Sequence, residues 1–259
     1  MTGAHAKVPQ ARYPVSFFVP CLVDAFHPGV AAGVVTVFKR LGIPLNCPPG
    51  QTCCGQPAYN SGYRRQARRA AQHFVRVFEN ANAVVCPSGS CVQMVRHHYR
   101  LLFADSPSWL ARSRRLAERT FELSEYLVDI LGVKALGARC TLRLTYLDSC
   151  HLLYGLGISR QPRQLIDHVR GTVRVEMRDS QRCCGFGGAF AVRYPEISSA
   201  MLADKLDNIA ATGAEAVVGC DIGCLMHIAG MARRRGLALH VLHIAQLLAA
   251  RGRGDLIHG

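Results

Sequence analysis

Cys53-Cys54-Gly55-Gln56-Pro57 decides the reading of this chain, because the same pair returns 130 positions later as Cys183-Cys184-Gly185-Phe186-Gly187. Adjacent cysteines do not close an ordinary disulfide on each other: the bridge wants Cα atoms about 4.4 to 6.8 Å apart, whereas sequence neighbours lie about 3.8 Å apart. Each pair must find partners elsewhere. Working outward, the first half supplies Cys21, Cys86 and Cys91 around its pair, and the second supplies Cys150, Cys220 and Cys224. Ten of the twelve cysteines fall into this doubled pattern, which is a ligand set for something soft, held twice.

The offsets test the duplication. Cys21 to Cys150 is 129 positions, Cys53 to Cys183 and Cys54 to Cys184 are 130, and Cys91 to Cys224 is 133. Those four positions map onto one another as an internal repeat does. Cys86 and Cys220 stand five and four positions before the last cysteine of their halves, so the fifth ligand of each set maps less cleanly.

Length and composition agree with two repeats. A chain of 259 residues accommodates one large α/β domain or two of about 130. With 49% hydrophobic and 19% charged residues it has material for a buried core. The expected division is a tail over residues 1–13, a first repeat with a helical connection over 14–135, and a second repeat over 136–259. The net charge is +14, with 27 of 31 basic residues being arginine. No nucleic-acid reader motif accompanies that charge, so nucleic-acid binding is not expected. Arg64, Arg65, Arg68, Arg69 and Arg76 alternate at helical spacing with Ala67, Ala71, Phe74, Val75 and Phe78, which reads as the wet side of an amphipathic helix.

No apolar run approaches the ~20 residues of a membrane span, and the N-terminus lacks an apolar signal core. The expectation is a cytoplasmic protein, with peripheral membrane association left open. In that reducing compartment twelve cysteines read as metal ligands or redox groups rather than structural disulfides.

The pattern of elements is strand, helix, strand, helix. Val15 to Cys21 reads as a buried strand ending in a cysteine, and Pro28 opens a helix over Val30 to Leu41 that Gly42 closes. A short strand around Pro44 to Cys47 leads into the Cys53-Cys54 loop, where Pro48, Pro49, Gly50, Gly55 and Pro57 forbid regular structure. A helix from about Ser61 to Asn80, a strand over Ala83 to Cys86 and a helix from near Cys91 to Phe103 follow. Residues 105–135 read as helical connection, with a helix over Leu123 to Leu131. The second half retraces this: strand Thr141 to Cys150, helix Pro162 to Val169, strand Val173 to Met177, helix Pro195 to Ala211, strand Ala216 to Val218, helix to Arg235, strand Leu237 to Leu242 and a helix to Ala250. Such alternation implies an α/β fold of two pseudo-symmetric Rossmann-like halves with mainly parallel sheets and right-handed crossovers. Ligands collect at the C-terminal ends of such strands, where these cysteines stand.

Two soft ligands compete for the thiols. Zinc takes four thiolates around one point, usually as two short-spaced pairs, and an adjacent pair with a lone upstream cysteine suits it poorly. Iron–sulfur clusters are extended, so neighbours in sequence can reach different irons. Ferredoxin spacing is absent. A zinc-stapled scaffold or interaction protein, with zinc in one half, stays open as the alternative.

The doubled pattern centred on CCGQP and CCGFGG resembles the cysteine-rich CCG domain family, which includes the B subunit of heterodisulfide reductase and the iron–sulfur subunits of glycolate and lactate oxidation systems. CCGQPAYNSGY, PSGSC, CCGFGGAF and CLMHIAG bring it nearest to the lactate group, over almost the whole chain. The resemblance implies an iron–sulfur oxidoreductase subunit that works with two sister proteins, iron–sulfur and accessory subunits, to oxidise L-lactate to pyruvate. Glycolate or a heterodisulfide is the substrate in other members. By the same resemblance Cys21, Cys53, Cys54 and Cys91 would carry one site, and Cys150, Cys183, Cys184 and Cys224 the other. Heterodisulfide reductase relatives add a fifth cysteine and hold a non-cubane [4Fe-4S] cluster, for which Cys86 and Cys220 are the candidates here.

Gly55, Gly185, Gly187 and Gly188 are expected to let backbone approach such a cluster. They form no dinucleotide fingerprint, because Phe190 takes the sixth position of G-x-G-x-x-G. With no flavin or nicotinamide site evident, the chain is expected not to complete an oxidation alone. His151 and His227 beside the cysteines read as hydrogen-bonded structural residues, and Asp148 and Asp221 as capping or turn residues. Cys47 and Cys140, outside the repeat, read as buried small hydrophobes.

Overall fold

Two four-stranded sheets, parallel throughout, carry the chain in this computed structural model, which describes residues 14–256. The tail expected over residues 1–13 lies outside the described residues. In the first half β1 (Val15–Phe17) is followed by α1 (Cys21–Phe26), α2 (Pro28–Leu41), β2 (Leu45–Asn46), α3 (Gln56–Asn60), α4 (Arg64–Phe78) and β3 (Val84–Cys86). Then come α5 (Gly89–Gln93), a π-turn (Met94–His98), α6 (Tyr99–Leu102), α7 (Pro107–Ala117), β4 (Thr120–Glu122), α8 (Leu123–Glu125) and a second π-turn (Tyr126–Ile130). The sheet order is β2-β1-β3-β4.

The second half repeats the plan with β5 (Arg139–Leu147), a π-turn (His151–Gly155), α9 (Arg160–Asp167), β6 (Arg170–Arg174), α10 (Ala189–Arg193) and α11 (Pro195–Ala210). It continues with β7 (Ala216–Gly219), α12 (Ile222–Arg234), β8 (His240–His243) and α13 (Ile244–Ala249), followed by a 3-10 turn (Arg253–Leu256). The order β6-β5-β7-β8 matches the first sheet strand for strand.

Local chemistry explains the helices. Pro28 starts α2 with its fixed φ, Val30, Val34, Val37 and Phe38 bury one face completely, and Gly42 at φ 67° ends it. Each such side chain contributes roughly 1.5–3 kcal/mol by leaving water. In α4 the arginines face outward and Ala67, Ala71, Phe74, Val75 and Phe78 are buried, as the spacing indicates. One apolar core runs through both halves, from Val15 to Leu248, and a second cluster sits beneath α4 around Phe18, Phe74, Phe78 and Tyr99. The halves also exchange contacts: α13 lies across α2, with a Cβ built on Gly33 falling 2.7 Å from the Ala245 carbonyl oxygen.

Several elements differ from the sequence expectation. The first strand stops at Phe17, and Cys21 opens a helix because Pro20, extended at φ −61°, takes the N-cap position. Pro57 does not forbid structure: at the start of α3 its missing N–H is harmless. The 105–135 connection contains β4, a three-residue strand too short for periodicity to show, whose Glu122 is fully buried. Strand β6 begins three residues before the expected Val173, and β8 begins at His240 rather than Leu237.

Candidate metal centres

Each CC pair sits on a tight turn that the following glycine makes. Gly55 at φ 89° and Gly185 at φ 76° direct their N–H groups back to Cys53 Sγ and Cys183 Sγ, both at 3.4 Å. A Cβ there would meet a carbonyl of the second helix after the pair, Ala67 O at 3.1 Å or Ser198 O at 2.7 Å. The glycines thus supply a left-handed turn packed against α4 and α11. At Gly187 a Cβ would strike Phe190, and at Gly188, φ 61°, the space is open. The carbonyl of each second cysteine is anchored in parallel fashion: Tyr99 Oη donates to Cys54 O at 2.9 Å, and His227 Nδ1 holds Cys184 O at 3.1 Å.

In the first half the turn brings five sulfurs into a chain. Cys21 Sγ donates to Cys53 Sγ and Cys54 Sγ to Cys91 Sγ, each at 3.6 Å; Cys54 also hydrogen-bonds Cys53, and Cys86 hydrogen-bonds Cys91. The hydrogen bond from Cys21 pulls the Cys53 thiol down to about 3, and those from Cys54 and Cys86 hold Cys91 well below the usual thiol range. The donors Cys21, Cys54 and Cys86 are pushed up correspondingly. Cys91 gains further from its place in the first turn of α5, where the Ser88 side chain accepts from its N–H.

The second half repeats the chain with four sulfurs. Cys150 hydrogen-bonds Cys183, lowering it to about 2, and Cys184, pushed up, donates its one S–H to Cys224 Sγ at 2.9 Å while its sulfur also lies against that of Cys183. Cys220 does not join. Its sulfur lies 3.5 Å from Tyr146 Oη and its thiol is pushed up by burial. The reason is register: Cys86 is the last residue of β3, whereas Cys220 stands one past the end of β7, so the two side chains leave their sheets differently.

The neighbours of the nests depart from expectation at Asp148, Asp221 and Cys47. His151 Nδ1 is 3.6 Å from Cys150 Sγ. Asp148 is bound bidentately by Arg163 at 2.8 and 2.6 Å. Asp221 stands at the N-cap position of α12 yet does not cap it: its Oδ1 accepts from Ser88 Oγ at 2.9 Å and Ser90 N at 3.1 Å in the other half, and its Oδ2 from Ser149 Oγ. Cys140 is buried, but Cys47 is exposed, its sulfur accepting from Gln51 Nε2 at 3.1 Å. Lys205, Glu122 and His243, all fully buried close to the nests, escape sequence reasoning because each occupies a position that periodicity assigns to an apolar residue.

A chain of sulfurs spread over two loops and a helix start fits an extended cluster whose atoms need several separated thiolates. Among the described residues no three His, Cys, Asp or Glu side chains converge as a single metal ion requires. The cysteine-rich domain family designated CCG matches twice, over residues 15–96 and 144–229, each match enclosing one nest. The chain is 43% identical over 235 residues to lactate utilization protein A 2 of Bacillus cereus strain Q1, covering 91% of this chain and 97% of that one. The chain belongs to this family. A second member, lactate utilization protein A of Shouchella clausii, is 44% identical over 90% of this chain and 98% of its own. The family's two-sheet architecture is shared at 8% identity by the crystal structure of a hypothetical protein from Helicobacter pylori, with a TM-score of 0.65 over 97% of this chain and 52% of that one.

Proposed function

We propose that the chain is an iron–sulfur oxidoreductase subunit that acts with partner subunits in the oxidation of L-lactate to pyruvate. The observation that carries the reading is the repeated chain of sulfurs, Cys21–Cys53–Cys54–Cys91 and Cys150–Cys183–Cys184–Cys224, built by the same CCG turn in each half. The names of its relatives supply the substrate. Each repeat, 14–135 and 136–259, would hold one [4Fe-4S] cluster, with Cys86 as a fifth ligand in the first. Such a cluster, when bound, takes up and releases electrons singly. The chain's own residues would hold the sulfurs apart at fixed spacing, donate amides from Gly55 and Gly185 to them, and keep three of the five first-half thiols away from water.

Among the described residues no helix is long and apolar enough to cross a membrane. That agrees with a cytoplasmic subunit handing electrons to iron–sulfur and accessory partners, and the +14 charge favours acidic ones. Anaerobic purification tests the proposal. Brown protein absorbing near 400 nm, with iron and acid-labile sulfide that fall in Cys54→Ser and again in Cys184→Ser, is the expected result. Colourless protein with stoichiometric zinc after cluster reconstitution would overturn it in favour of a stapled scaffold.

A further inference from the structure

Among the described residues Lys205 is a buried cation without a carboxylate in contact. Its Nζ donates to Asp179 O at 2.8 Å, Ser180 O at 3.0 Å and Met177 Sδ at 3.8 Å, three neutral acceptors that match an ammonium's three N–H bonds, and no part of the side chain reaches solvent. An ammonium buried in this way is costly unless negative charge lies near. Burial pulls its pKa down; the loop it holds through Asp179 O and Ser180 O is the one that leads into Cys183 and Cys184, and the sulfurs of that nest, with the carboxylate of Asp148, oppose the pull. Asp148 is already claimed by Arg163, itself shared with Glu176. What remains to balance Lys205 is the second thiol nest.

The first nest has no such cation at the matching place. Seven residues beyond Ala67, whose carbonyl underlies Gly55, α4 presents Phe74; seven beyond Ser198, whose carbonyl underlies Gly185, α11 presents Lys205. Phe74 packs edge-on against Phe18 and Tyr99 instead. Among the described residues only acidic charged side chains stand near the buried first-half thiols, Asp221 by Cys91 and Cys86 and Glu122 by Cys86, and burial pushes Glu122 up to about 8. Asp221 also acts on Cys150, so it does not distinguish the halves. Burial separates them at one matched pair: Cys91 is buried whereas Cys224 is partly open to water, while Cys21 and Cys53 match Cys150 and Cys183 as partly open and Cys54 matches Cys184 as buried.

We infer that Lys205 is the fixed counter-charge of the second nest and sets the cluster held there at a higher reduction potential than the one in the first. Gaining an electron makes a cluster more negative, and that form is stabilised by a nearby cation and by water, both of which favour the second nest. An electron delivered to the chain therefore rests in the second half. This inference stands on the proposed iron–sulfur reading.

The test is a redox titration of cluster-loaded protein followed by electron paramagnetic resonance. Lys205→Met is expected to shift the second signal to lower potential by roughly tenfold or more in its reduced-to-oxidised ratio, as a unit charge in a protein interior supplies, leaving the first signal in place. Lys205→Arg should return most of the shift. An unmoved second signal, or both signals moving together, would overturn the inference. If Lys205→Met does not fold, single-nest proteins decide: the cluster retained in Cys91→Ser should titrate above the one retained in Cys224→Ser, and the reverse order would sink the idea. Absence of iron and sulfide in every protein would instead defeat the iron–sulfur reading itself.

Discussion

Ser88 Oγ lies 2.9 Å from Asp221 Oδ1, and the two residues hold equivalent places in the repeat, each at the N-cap of the helix that carries the last cysteine of its nest. Asp221 also accepts from Ser90 N, so a carboxylate of the second half caps α5 of the first. The nests are thereby joined by a buried polar seam that continues through Ser149 to the turn after Cys150. The start of α5 has its orphan amides answered by Ser88 and Asp221, and the turn after Cys150 has Leu152 N answered by Ser149.

Asp221→Ala removes the acceptor from three donors at once, the buried Ser88 Oγ and Ser149 Oγ and the partly buried Ser90 N. The expected loss is about 3 kcal/mol, since each stranded buried donor costs on the order of 1–3 kcal/mol, partly relieved by relaxation. Asp105→Asn, on an exposed pair with Arg68, should cost under about 1 kcal/mol. Urea unfolding of the two variants beside the parent protein measures the difference; equal midpoints would show that the seam contributes nothing.

Cys86 and Cys220 should behave differently although both precede a nest cysteine closely. Cys86→Ser is expected to alter the iron content or the spectrum of the first nest, because its sulfur hydrogen-bonds Cys91. Cys220→Ser should leave iron and sulfide at the parent level and cost about 1 kcal/mol of stability, as its sulfur reaches only Tyr146. Paired metal analyses settle it, and loss of iron in Cys220→Ser would be the adverse outcome.

Much of this arrangement is legible in the sequence. The cysteine offsets reveal the duplication, and the alternation of apolar runs with amphipathic stretches reveals the parallel sheets. What is not legible has physical causes. Strand β4 is three residues long and includes buried Glu122, so neither period nor composition marks it. Asp221 looks like an ordinary cap until the other half is brought against it, and Lys205 sits at a helix position whose repeat partner is Phe74. Long-range partners of this kind are set by packing, which local pattern does not encode. The failure of Cys220 to match Cys86 was visible as a spacing of four against five residues, but its consequence depends on where β7 ends.

His243 gives the fold a sensitivity to acid. Burial pulls its pKa down from 6.5 to about 4; Nδ1 accepts from Ala245 N and Nε2 donates to Pro87 O, both at 3.1 Å. The folded protein holds the neutral ring, so it binds fewer protons than the unfolded chain between those values. Stability from this group is complete above about pH 6.5 and is lost as pH falls towards 4, by about 3 kcal/mol. His243→Asn keeps a capping side chain but cannot titrate. Unfolding free energies at a series of pH values should fall less steeply in the variant across that window; parallel curves would assign the acid sensitivity elsewhere.

Two glycine-to-alanine changes separate packing from helix propensity. At Gly33, inside α2, an added Cβ meets Ala245 O at 2.7 Å and its carbonyl carbon at 2.9 Å, both backbone atoms of α13 that cannot rotate away. At Gly230, exposed inside α12, nothing lies within 4 Å. Alanine gains roughly 0.5–1 kcal/mol over glycine in either helix interior. Gly230→Ala should therefore stabilise by about that amount. Gly33→Ala must push apart the contact by which the last helix closes over the first half, and overpacking of this kind costs roughly 1–3 kcal/mol, so it should destabilise on balance. Thermal unfolding reads both signs directly. A gain at Gly33 would mean that α13 can withdraw from α2 without loss, and that the two halves are less tightly joined than their shared core indicates.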